Sequence, residues 1–497
     1  MRAEVFLSAV LYVLASTLLS FSFASAKRDI SLSHLPRRHS RLSASAKRSN
    51  ADAAESSAER HESDTSRVGS NLNATWAQKI ETRQFSSQNI VVAHHVVGFT
   101  ANYGIGDWAN DIALAQSKGI DAFALNFGPD NWEAVQISNA YIASITTTSS
   151  QFKLFLSFDM SSFPCQNPGD AAIIRQFING YNGHPAQLVV DGRMVVSTFS
   201  GEGCMFGTGN VNQGWENTVK SGLPATYFIP AFFMNPDQFG NYPVADGMFN
   251  WNAAWPQGDF DIDFSVDQQW LNNLGGRGYM AGVSPWFFTH YSPQSFNKNW
   301  IYRSDDWLFA ARWEEVIQNR GSVRFVQVET WNDYSESHYV GPIEGVQPGS
   351  QAWVDGFDHL GWLDLMKYYI TAFKTGSYPP ITKDRIFLWG RLYPAAANAP
   401  DPVAKPNNWQ WTDDFLWAVV LLPSPGSVTL TCGPNSQTFS VSAGLSKLKL
   451  PFTTSCSVSS QIVRNGVTTV SFNPPGFNFN TNPPSYNFNA FVAASPA

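Results

Sequence analysis

Charge is the first thing in short supply. Asp, Glu, Lys and Arg together make up 14% of the 497 residues, against roughly 25% in an average soluble protein. The formal net charge is −7 and no basic stripe runs along the chain, which excludes nucleic acid as an expected partner. Cysteine is sparse too, with four residues at positions 165, 204, 432 and 456. Their spacing is not that of a zinc site. Beyond the N-terminus no segment approaches the 18 uninterrupted apolar residues of a membrane span. Two catalytic signatures are also missing. Without G-x-S-x-G there is no nucleophile elbow, and without G-x-G-x-x-G after the first strand there is no dinucleotide turn.

Aromatic rings, by contrast, are plentiful at 14% of residues, with 18 Trp. Few charges and many rings suit a rigid secreted protein that meets sugars, whose C–H faces pack on aromatic planes. Most of these rings are nevertheless expected in the core.

The N-terminus reads as an address. Arg2 precedes the apolar run VFLSAVLYVLASTLLSFSF, closed by the small residues Ala24-Ser25-Ala26, so residues 1–26 are expected to be a signal peptide and the protein secreted. Residues 27–85 hold 11 Lys and Arg, 7 Asp and Glu, and few large apolar side chains. Such a stretch does not bury enough surface to offset the entropy of ordering. It is expected to be a disordered pro-segment or leader, with Lys47-Arg48 as a processing site and Asn73 as a glycosylation acceptor. Secretion favours disulfides, and the domain division below favours one bridge in each domain, Cys165 with Cys204 and Cys432 with Cys456.

From residue 90 a β-rich apolar run alternates eight times with a helix-spaced segment. The runs cover residues 90–99, 119–128, 152–160, 193–201, 225–233, 247–255, 278–287 and 323–331. They are continuously apolar, as parallel strands buried on both faces are. The pattern predicts an α/β fold, a (β/α)8 TIM barrel over residues 86–384. After residue 385 the period shortens, with Pro-Gly, Gly-Pro-Asn and Asn-Gly turns. Residues 385–497 are therefore expected to form a small antiparallel β-sandwich with an irregular tail from Asn473.

In such a barrel the chemistry belongs at the C-terminal strand ends. Those ends carry His94, Asn126, Asp159 and Glu202, then Asn250, Trp251 and Trp255, then Trp286 and His290. The eighth strand ends in FVQVETWNDYSESH, with Glu329, Trp331, Asn332, Asp333, Tyr334 and Glu336. Glycosidic cleavage needs one carboxyl group to protonate the leaving oxygen and another to attack or to activate water. Asp333 and Glu336, three residues apart, supply such a pair without fixing its separation. No cluster of His and carboxylates reads as a metal site, and no cofactor is called for. The acid-rich segment DFDIDFSVD (259–267) lacks the Gly and closing Glu of a calcium loop and reads as a polar loop entering a helix.

Three stretches resemble glycoside hydrolase family 71, the fungal α-1,3-glucanases or mutanases: VVAHHVVGFTANYGIGDWANDIALAQSKGIDAFALNFG, FVQVETWNDYSESHYVGP and GWLDLMKYYITAFKTGSYPPI. The resemblance implies a barrel with an appended β-sandwich that hydrolyses α-1,3-glucan by inversion; separately, the chain is expected to be a monomer. The resemblance places the catalytic acids on Asp333 and Glu336, with Asp333 favoured as base and Glu336 as acid and the reverse split left open. His94 and Asp159 become subsite residues, joined by Asn126, Glu329, Asn332 and Tyr334, and Trp251, Trp255, Trp286 and Trp331 become stacking platforms. Ser335 stands where the family has Gly, so a turn requiring positive φ there would displace the acids. Two other functions remain open: hydrolysis of another linkage such as an α-mannoside, and non-catalytic glucan binding at the wall.

Overall fold

The computed structural model describes residues 89–149 and 151–496. The expected signal peptide and leader, with Lys47-Arg48 and Asn73, lie outside the described residues. Among those described, no helix is long and apolar enough to cross a membrane.

Residues 90–375 alternate strand and helix. The parallel strands are β1 (Ile90–Val96), β2 (Ala122–Phe127), β3 (Lys153–Asp159), β4 (Arg193–Phe199), β5 (Thr226–Phe228), β6 (Gly247–Asn250), β7 (Gly278–Val283) and β8 (Phe325–Val328). Each falls within one of the eight expected runs. They pair in the order β5-β4-β3-β2-β1-β8-β7-β6, so the first strand lies between the second and the last. This curls the sheet. Across its two ends, Asp246 N donates to Phe228 O at 2.8 Å and Phe249 N to Pro230 O at 2.9 Å.

Helices follow the strands except after β5, where only a 3-10 turn (Pro236–Asn241) stands: α1 (Ile105–Ser117), α2 (Asn131–Thr148), α3 (Pro168–Tyr181), α4 (Val211–Val219), α5 (Ser265–Asn273), α6 (Leu308–Gln318) and, both after β8, the single turn α7 (Gln351–Val354) and α8 (Leu360–Thr375). In α1, Ile112 and Ala115 face the core as their spacing predicts, and the chain leaves the helix through Gly119 at φ +93°. A bulkier residue there would be strained. Between β7 and α6 a short antiparallel hairpin pairs Phe288–His290 with Asn299–Ile301.

Two antiparallel sheets follow. One orders β13 (Gly444–Pro451), β10 (Phe415–Leu422), β9 (Arg385–Arg391) and β16 (Ala490–Ala494). The other orders β12 (Asn435–Val441), β11 (Gly426–Cys432), β14 (Cys456–Arg464) and β15 (Val467–Phe472). Leu388, Leu416 and Val420 of the first share one apolar cluster with Val428, Leu430, Val458 and Ile462 of the second. The tail departs from expectation. Its Pro- and Asn-rich sequence looked irregular, yet residues 490–494 pair in register with β9 because burying Ala490 and Val492 outweighs weak local propensity.

The other side of the first sheet is not free. Trp389, Trp417, Phe488 and Val492 belong to the same cluster as Trp362 and Leu363 of α8, so one core runs through both parts of the chain. The bridges join Cys165 to Cys204 and Cys432 to Cys456, with Cα–Cα distances of 5.3 and 5.2 Å.

Candidate active site

Beyond β8 the chain folds back on itself and is pinned to β1. Trp331 N donates to His94 O at 2.7 Å, Val340 N to Thr330 O at 3.0 Å and Gly341 N to Trp331 O at 2.8 Å. The Asn332 amide clamps Val96, accepting from its N at 2.7 Å and donating to its O at 3.0 Å. Asp333 N donates to Thr330 Oγ1 at 2.7 Å and opens one 3-10 turn, Tyr334–Glu336. The left-handed residue of this turn is Ser337, at φ +60°, not Ser335. Glycine is therefore not required at 335, and the Ser335 hydroxyl instead donates to Asp333 Oδ1 at 2.8 Å.

That turn brings the two acids onto one imidazole. His338 Nε2 lies 3.3 Å from Asp333 Oδ2 and 3.3 Å from Glu336 Oε2, at ion-pair distance without hydrogen-bond alignment. Glu336 Oε1 accepts from Lys298 Nζ at 2.8 Å, so every carboxylate oxygen of the pair has a neighbour. Burial works against the charged form of His338, but the two carboxylates outweigh it and push the ring up to about 9. Its ring centroid lies 5.5 Å from those of Trp255 and Phe287 and 6.1 Å from that of Trp251. Glu336 is 1% exposed and Asp333 9%, so Asp333 is the member of the pair that faces solvent. At the end of β3, half-buried Asp159 accepts from Ser161 N at 3.0 Å and Ser161 Oγ at 2.5 Å. Burial raises its carboxyl, opposed by those bonds and by the Lys298 charge.

Several expected sugar contacts are core instead. Trp331 is fully buried, 5.1 Å from Phe123 and so close over Gly341 that a Cβ there would sit 2.6 Å from the ring. It has no open face. Trp286 donates to Phe488 O at 2.8 Å and stacks on Trp362, at the junction with the C-terminal sheets. Trp255 is buried by Tyr302 and Phe287. Buried Tyr334 donates to Pro342 O at 2.9 Å. Asn332 is the clamp just described. Glu329 is fully buried, and neither oxygen has a hydrogen-bond partner. Burial holds its carboxyl well above the usual range, and a Cβ on neighbouring Gly282 would fall 2.2 Å from its Oε1.

Trp251 borders the cluster through the His338 ring. Trp251, 8% exposed, packs 4.9 Å from the His94 ring, which also meets the Gln327 amide at 3.1 Å. Asn126 is nearly buried, with its amide 3.5 Å from Ser157 O. His95 turns the other way, to Asp111 at 3.1 Å. In the acidic loop Asp261 pairs with Arg303, Asp263 accepts from Ser265 N at 2.8 Å and Asp267 binds Arg312. It runs into α5 as its sequence suggested.

Sequence reasoning missed His338 and Lys298. His338 stood in the stretch that drew attention, two residues past Glu336, but no spacing rule separates it from a core histidine. Lys298 comes from the hairpin and has no motif at all. The structure does gather a His with two carboxylates, contrary to expectation, with donor atoms of Asp333, Glu336 and His338 within 4.8 Å of one another. The Lys298 ammonium on Glu336 sets a positive charge against any cation there.

Paired carboxyl groups at a strand mouth are the apparatus of glycosidic hydrolysis. The model of glycosyl hydrolase family 71 matches residues 87–497, which makes this chain a glycoside hydrolase. It belongs to family 71. The glucan endo-1,3-alpha-glucosidase agn1 of Schizosaccharomyces pombe is 40% identical over 411 residues, 80% of this chain and 94% of that protein. Mutanase Pc12g07500 of Penicillium rubens is 34% identical over 364 residues, 71% and 76% of the two chains. Among solved structures, a GH99 endo-alpha-mannosidase from Bacteroides thetaiotaomicron aligns over 57% of this chain and 97% of its own, at 11% identity and TM-score 0.44.

Proposed function

We propose that this protein is a secreted, monomeric hydrolase of α-1,3-glucan that cuts within the chain, with Asp333 and Glu336 as its acid pair. The observation that carries the reading is the convergence of both carboxylates on His338 at 3.3 Å, next to Lys298. The linkage is supported by the printed activities of its relatives, and secretion by the two disulfides and the N-terminal apolar run. The architecture that fits is a closed (β/α)8 barrel over 86–384, favoured by the hydrogen bonds between Phe228, Pro230 and β6, followed by a β-sandwich over 385–497. Asp159, His94, Asn126 and Trp251 are taken as the candidate sugar contacts.

The more exposed Asp333 is assigned as base and Glu336 as acid. The Lys298 contact bears against the second assignment, because an ammonium favours the ionised carboxylate. Inversion follows from the family resemblance and needs roughly 6.5–9.5 Å between the carboxyl groups, so that a water fits between them. The nearest oxygens here are within 4.8 Å, closer than that separation, which bears against inversion. The test is an NMR time course on soluble α-1,3-linked oligosaccharides. Fresh β-anomer supports linkage and inversion together. Fresh α-anomer replaces inversion by a covalent intermediate, and no release removes the linkage.

A further inference from the structure

The outer face of the β12-β11-β14-β15 sheet carries hydroxyls where a protein surface ordinarily carries charge. Val428 and Leu430 of β11 and Val458 and Ile462 of β14 point into the core. Strand alternation therefore turns Ser427, Thr429 and Thr431, and Ser459 and Gln461, to the other face. The register extends them into rows: Ser436–Thr431–Ser459 and Thr438–Thr429–Gln461–Ser471, with Ser440 beside Ser427. Thr429 and Thr438 join hydroxyl to hydroxyl at 2.9 Å, as do Thr431 and Ser436. The Thr429–Thr438 pair retains a donor and lone pairs for an outside partner, while Ser436 also donates to Leu430 O at 3.5 Å and leaves its pair lone pairs only. Strand geometry repeats these groups about every 4.8 Å across the sheet and roughly 6.8 Å along it.

These strands contain one charged residue, Arg464, at the end of β14. It is closed in a bidentate pair with Asp384, both contacts 2.7 Å. A designed soluble surface would have about a quarter to a third of such positions charged. None of the outward residues is an aromatic or an Arg of the kind that anchors protein partners. Phe439 and Phe472 pack instead against the apolar core.

We propose that this face docks on the packed, uncharged chain surface of insoluble α-1,3-glucan and holds the active site at its polymer; the choice of glucan rests on the function proposed above. A neutral polysaccharide offers hydroxyls and no ions, so a charged protein face would lose hydration against it without gaining a counter-charge. A flat array of hydroxyls is desolvated at smaller cost and bonds at many points at once.

The experiment measures depletion of full-length protein onto insoluble α-1,3-glucan, beside turnover of soluble α-1,3-oligosaccharides. Wild type is compared with the double variant Thr438→Lys with Gln461→Lys, both at exposed positions. Retention is expected to fall about tenfold, the equivalent of one or two lost hydrogen bonds, with soluble turnover and melting temperature unchanged. Unchanged retention beside intact soluble turnover overturns the docking face. Equal retention of wild type on cellulose overturns the committed partner. A concentration-dependent dimer that the substitutions break assigns the face to a second copy and overturns the proposal as well. If wild type leaves soluble α-1,3-oligosaccharides untouched, the underlying function fails, and the choice of glucan with it.

Discussion

At the scale of single residues, the site balances two acids against two cations. His338, raised to about 9 from an ordinary 6.5, is charged in the folded protein where it would be neutral unfolded. A raised histidine contributes stability that is complete below 6.5 and disappears as pH climbs through about 9. The melting temperature of wild type is therefore expected to fall across that window, and His338→Gln to flatten the fall. An unchanged slope would show that the ring is not charged. Glu329 pushes stability in the same direction, through its neutral form and over a lower range of pH. Its carboxyl stays protonated in the fold well above 4.5, so unfolding releases a proton and wild type loses stability as pH rises above that value. Glu329→Gln should remove this slope between pH 5 and 8, measured by chemical denaturation. The acids were legible in the sequence because charge is rare and three carboxylates cluster in eight positions. Burial was not legible: Trp331 and Tyr334 sit in the same polar stretch, and only tertiary packing turns them inward.

Among the elements, the helices after β6 and β7 are locked to the sheet by a buried network. Arg312 of α6 binds Asp267 of α5 through two contacts of 2.6 Å and donates to Gly282 O of β7 at 3.0 Å. Tyr279 adds a bond to Asp267 at 2.7 Å, and Asn250 of β6 bonds Tyr279 at 3.1 Å. Both ions are fully buried. Removing one partner leaves an uncompensated charge, so Asp267→Asn is expected to cost about 3–5 kcal/mol in a denaturant titration. A loss under about 1 kcal/mol would mean that water reaches the pair. Strands and helices themselves were readable from continuous apolar runs and helical spacing. This network was not, since Asp267 looked like one more acid of a polar loop.

For the whole molecule, the unbroken core predicts cooperative unfolding. Trp389 and Trp417 of the C-terminal sheet cluster with Trp362 of α8, and His359 meets Tyr339 O at 2.8 Å and Ala490 O at 3.2 Å. Calorimetry should show one transition for residues 89–496. Two well-separated transitions would show that the sheets fold apart from the α/β part. The change of period near residue 385 marked where the architecture changes. It carried no sign that the two parts share a core, because apolar residues on a strand do not say which neighbour covers them.

The measurement that bears most directly on the central claim is turnover of soluble α-1,3-oligosaccharides by wild type, Asp333→Asn and Glu336→Gln, with melting followed in parallel. Loss of a general acid or base should lower turnover at least about a hundredfold in each variant while the fold stays intact. Full activity in either variant would contradict the assignment and take that carboxylate out of the reaction.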